Sequence, residues 1–113
     1  MASAAVLDVH TQFHIAANHP ALPGHFPDAP VVPGVLLLAE SLQQLETRGG
    51  HKLGCHRIER AKFLQPVAPG ETISASLRLE ATGKASLDLH VGDRLVAQAT
   101  VLLWPPAHEP ARA

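Results

Sequence analysis

A chain of 113 residues, 46% apolar and 17% charged, has the length and balance of one globular domain with a real core, and argues against a disordered tail or a two-domain enzyme. Nine Lys and Arg against ten Asp and Glu leave a net charge of −1, which removes the electrostatic case for bulk nucleic-acid or membrane-surface binding. One cysteine, Cys55, excludes an internal disulfide framework; the opening MASAAVLDVH lacks the basic start of a secretory signal, and no apolar run approaches the roughly 18 residues of a membrane span, so a cytoplasmic domain is expected.

In chain order, Val6 to Ile15 reads as a first strand. Pro20, Pro23, Pro27, Pro30 and Pro33 follow at near three-residue spacing, half of the chain's ten prolines. Each fixes its own φ and extends its predecessor, so Asn18 to Pro33 is expected to be a stiff loop, neither helix nor central strand. From Val35 to about Arg48 the chain is rich in Leu, Ala, Glu and Gln, with Pro33-Gly34 ahead of it and Gly49-Gly50 behind. That punctuation predicts a helix. Val35 to Ala39 with Leu42 and Leu45 predict that its first half is buried nearly all round.

His56 to Val67 reads as a strand ending in a turn from Pro66 to Gly70. Strict alternation then marks Ile73 to Glu80, Leu87 to Val91 and Leu95 to Leu103, with hairpin turns at Thr82-Gly83-Lys84 and Gly92-Asp93. The expected domain spans residues 1–104, with a Pro/Ala-rich tail at 105–113. The fold class is α+β: one helix against an antiparallel sheet of about five strands, the last four in meander order. A free edge strand on so small a sheet predicts pairing between two copies.

The chemistry concentrates before the helix. Gly24-His25-Phe26-Pro27 places an imidazole in the stiff loop, and the N–H groups of Gly34 and Val35 at the helix start have no partner within the helix. Such groups at the positive end of the helix dipole polarise a carbonyl oxygen, Gly34 lacks a Cβ that would keep a substrate away, and an imidazole exchanges protons near neutral pH. The plain alternative is a loop histidine that only bonds backbone. His10 and His14 share strand parity, but no ligand spacing accompanies them, and no metal or cofactor is expected. Arg48, Lys52, Arg57, Arg60 and Lys62 concentrate positive charge within fifteen positions, offset there by Glu59, which suits an acidic partner or is simply a solvated surface.

GHFPDAPVVPGVLLLAE, continued by IERAKFLQPVAPGETI and GDRLVAQATVLL, resembles the 3-hydroxyacyl-(acyl-carrier-protein) dehydratases of the FabZ/FabA type, a likeness running from about His19 to Leu103. The resemblance implies the hotdog fold, a sheet wrapped around a long central helix, in a dimer with two sites at the subunit interface. It also implies a thioester of an acyl carrier protein or CoA as substrate, and a setting in fatty-acid synthesis or in specialised lipid or polyene pathways. By it, His25 is the general base or proton shuttle, the Gly34 N–H polarises the thioester carbonyl, and Val35 and Phe26 belong to the substrate-binding site. The family's helix carboxylate falls on Ala39 without a gap, with Gln43 as the accompanying glutamine. With one residue inserted and absorbed as a π-bulge, it falls on Glu40 with Gln44. Three functions stay open on these residues: a dehydratase using His25 and Glu40, a hotdog acyl thioesterase relying on Glu40, and a non-catalytic acyl-binding subunit of a heteromer.

Overall fold

The computed structural model describes residues 5–16, 31–50 and 52–103. Their order is β1 (Ala5–Phe13), α1 (Gly34–Gly49), β2 (Cys55–Phe63), β3 (Ile73–Glu80), β4 (Lys84–Val91) and β5 (Arg94–Leu103). All five strands form one antiparallel sheet in the order β1-β3-β4-β5-β2. The loop expected at Asn18 to Pro33 lies outside the described residues up to position 30, as does the tail at 105–113.

Alternation sorts the sheet into two faces. Ile73, Ala75, Leu77 and Leu79 of β3, Ala85, Leu87 and Leu89 of β4, and Ala97, Ala99, Val101 and Leu103 of β5 are buried, while Arg78, Ser86 and Gln98 between them are exposed. The predicted meander holds for β3, β4 and β5. It fails for β2, which bypasses β3 and pairs with β5 at the far edge. That pairing joins segments some forty residues apart in the chain and carries two register shifts, neither of which local patterning encodes. The strand also stops at Phe63, not Val67. Beyond it the chain turns away, with the N–H groups of Leu64 and Gln65 both bonded to the Val96 carbonyl at 2.8 and 3.3 Å.

The helix packs on β1 and, less extensively, β3. Leu37, Leu38, Ser41 and Leu45 form its buried face. The expected burial of the whole first half is corrected: Val35 is 80% exposed, and Ala39 and Gln43 continue the same open stripe. These positions recur every four residues, so this chain's own sheet covers only the opposite face. At the far end Gly50 adopts a left-handed conformation with φ 75°, and its N–H bonds the Glu46 carbonyl. Gly49 lets helix and sheet meet closely, since a Cβ there would stand 2.6 Å from Val9 Cγ1.

Candidate active site

The start of α1 is chemically open. Its first helical hydrogen bond runs from the Leu37 N–H to the Pro33 carbonyl at 3.0 Å, leaving Gly34, Val35 and Leu36 without acceptors inside the helix. Among the described residues no side chain caps this end, where Pro33 is the N-cap, and no acidic residue sits in the first turn to neutralise its partial positive charge. Two connections hold the surroundings in place. Val32 donates to the Val67 carbonyl at 2.8 Å, tying the approach to α1 to the chain leaving β2. Arg94 reaches back from β5 to Gln65 Oε1 at 3.1 Å and to Glu71 Oε2 at 3.0 Å, bracing that outgoing segment.

Between them lies an open cavity of about 450 Å³ lined chiefly by apolar groups, among them Val31, Val35, Leu37, Phe63, Leu64 and Val67. Phe63 and Leu64 were not singled out from the sequence. Ile58, Ala61 and Phe63 pair with the buried Val101, Ala99 and Ala97 and so share the sheet's inner face, but the register shift after Ile58 breaks the alternation that would have shown this in the sequence. Val31, Val35, Ile58, Phe63 and Leu64 are the large apolar side chains left exposed among the described residues. The glycine at the helix start meets one of them directly: a Cβ on Gly34 would lie 2.7 to 3.0 Å from three ring atoms of Phe63. The missing Cβ therefore makes room for an aromatic ring of this chain.

The structure brings Gly34 and Val35 to this cavity. His25 and Phe26 lie outside the described residues. The helix is α-helical throughout Gly34–Gly49, so the π-bulge proposed to shift Glu40 and Gln44 into register is absent. Ala39 and Gln43 lie in line with Val35 on the open stripe, and Glu40 and Gln44 stand about 100° further round, half-buried. Gln44 Oε1 accepts a hydrogen bond from Arg48 Nε at 2.9 Å.

Among the described residues, His10 carries histidine contacts on the sheet's outer face. His10 bridges Asp8 Oδ1 at 3.1 Å and Ser76 Oγ at 3.0 Å, both on that exposed surface. No group of three or more His, Cys, Asp or Glu that could hold a metal occurs among the described residues. The basic cluster divides in space. Arg48 stands beside His10, Gln12 and Ser74 at the β1 edge, whereas Arg57, Arg60 and Lys62 belong to β2 at the other edge.

Comparison with known proteins places this architecture. The model of the ApeI-like family, described as ApeI dehydratase, matches residues 3–100. The chain belongs to that family. FabZ of Natranaerobius thermophilus, a 3-hydroxyacyl-[acyl-carrier-protein] dehydratase, is 34% identical over 96 residues, covering 75% of this chain and 68% of its own. The enzyme of the same name from Chlamydia trachomatis serovar L2 is 38% identical over 104 residues, covering 80% and 67%. Among solved structures, the dehydratase heterocomplex ApeI:P from Xenorhabdus doucetiae superposes with a TM-score of 0.69 at 20% identity, covering 91% of this chain and 98% of that one. Among the described residues, one helix against five antiparallel strands is thus the hotdog fold expected from the GHFP motif, here in an ApeI-like family member.

Proposed function

We propose that the protein eliminates water from a 3-hydroxyacyl thioester, delivered on an acyl carrier protein or CoA, to give the trans-2-enoyl thioester. The observation that carries this is the uncapped start of α1 opening on an apolar cavity in a chain of the ApeI-like dehydratase family. The thioester oxygen accepts hydrogen bonds from the N–H groups at Gly34 and Val35, and the positive end of the helix favours the enolate. The α-proton passes to His25, the electron pair forms the new double bond, and the β-hydroxyl takes a proton and departs as water. Glu40 supplies that proton. Apolar walls suit an acyl chain and exclude competing water.

The exposed apolar groups of β2 and the open stripe Val35, Ala39 and Gln43 support a functional unit of two copies joined along β2. Arg60 and Lys62, paired with Thr100 and Gln98 on the outer face of that strand, suit the acidic surface of a carrier protein. The reaction fits a cytoplasmic setting in fatty-acid or related lipid and polyene synthesis, and no helix is long and apolar enough to cross a membrane among the described residues.

Following the absorbance of the enoyl thioester tests the assignment. Turnover of a 3-hydroxyacyl thioester should fall at least about 100-fold in His25→Ala and in Glu40→Gln. Folded protein with no turnover on any chain length would overturn it, as would release of free thiol in place of the enoyl product. One observation favours a second reading. Ala39, where the ungapped family register puts the acid, lies on the open stripe of a helix without a π turn. If Glu40→Gln is silent and Ala39→Glu raises turnover, the chain is a subunit whose acid comes from a different partner.

A further inference from the structure

We propose that the ring of Phe63 selects against acyl groups branched next to the thioester carbonyl, a role that rests on the acyl-thioester reading above. The ring lies against the Cα of Gly34, next to the N–H that a carbonyl must reach, with three of its atoms 2.7 to 3.0 Å from the place a Cβ would take. A carbonyl held by the Gly34 N–H brings the carbon next to it beside this ring, so the ring must give way to bulk at that carbon.

The ring can turn while its backbone stays. Phe63 is the last residue of β2 and 50% exposed, and it pairs with Ala97, whose side chain is a single methyl. Two torsions move it without disturbing the sheet. The chain after it is fixed by the bonds of Leu64 and Gln65 to Val96 and of Val67 to Val32. The cavity beside it, lined by Val31, Val35, Leu64 and Val67, is apolar and large enough to take the displaced ring. A slim CH2 beside the carbonyl leaves space for the ring at its edge. A methyl branch there claims the space the ring needs, and close-packed apolar sites discriminate such single carbons by about tenfold or more. Bulk further along the acyl chain lies away from Gly34 and escapes this check.

Acyl-pantetheine amides, with nitrogen in place of sulfur and no hydroxyl to lose, isolate binding from turnover. Calorimetry with the butyryl and 2-methylbutyryl compounds should show the branched one binding about tenfold more weakly to the wild-type protein. In Phe63→Ala the gap should close to about twofold or less, with Phe63→Leu between, while Phe63→Trp widens it. Thermal melts of the variants establish that each is folded. An unchanged gap in folded Phe63→Ala and Phe63→Leu overturns the proposal, as does failure of the wild-type protein to bind either compound. A closed gap on a protein that never dehydrates a 3-hydroxyacyl thioester would retain the role of Phe63 and remove the dehydratase reading. Turnover with an unchanged gap would do the reverse.

Discussion

Two glycines of α1 owe their place to close contact, and the neighbours they touch decide what replacing them costs. At Gly34 the obstacle is the free end of the half-exposed Phe63 ring. At Gly49 it is Val9, a residue of the packed core at 6% exposure. A flexible surface ring yields and a core side chain does not. Gly34→Ala should therefore cost about 1 kcal/mol and Gly49→Ala about 2 to 3 kcal/mol, read as midpoint shifts in denaturant unfolding. Because Gly34 and Phe63 touch, their substitutions should not add: Phe63→Leu should recover most of the loss in Gly34→Ala, whereas it should leave Gly49→Ala unchanged. Strict additivity of Gly34→Ala and Phe63→Leu would mean the ring does not rest on the glycine in solution.

Between elements, Glu46 holds the descent from α1 into β2. Its Oε2 accepts from the N–H of Leu53 at 2.7 Å and of Gly54 at 3.2 Å, and Leu53 is itself buried. Removing the carboxylate strands a donor next to the core, so Glu46→Ala should cost about 1 to 3 kcal/mol, with Glu46→Gln keeping part of it. Raised hydrogen exchange at residues 52–54 would locate the loss, and unaltered exchange there would refute it. Local patterning made most elements legible. Pro33-Gly34 and Gly49-Gly50 bracket α1, and period-two runs mark β3 to β5. It did not reveal what depends on distant pairing: the place of β2 beside β5, or the ring at position 63 lying on residue 34. The apolar start of α1 was misread for the same reason. Apolarity shows that a face is to be covered, and says nothing about which chain covers it. The open stripe at Val35, Ala39 and Gln43 is such a face, left bare by this chain's own sheet.

For the whole molecule, β2 is the exposed flank. Ile58 and Phe63 stand at 47% and 50% exposure on this edge strand, with Leu64 just past its end at 49%, which in a monomer invites uncontrolled pairing. A second copy added along this edge would cover them, so sedimentation should report a dimer. Ile58→Glu, which places a charge on that inner face, should give monomers and lower turnover together, because the cavity at α1 opens on the same side. A dimer that survives Ile58→Glu would move the interface elsewhere.

The strand order also dictates when this protein can become itself during synthesis. β1 finds its sheet partner only in β3, and β2 only in β5, which ends at Leu103. Both early strands therefore leave the ribosome long before their sheet partners exist, and the helix between them has only β1 to pack on. The first half of the chain embraces the second from both edges, so no early piece is a stable unit, and folding waits on nearly the last described residue. Nascent chains halted before β5 is complete should stay open to protease, and those extended beyond it should close in one step.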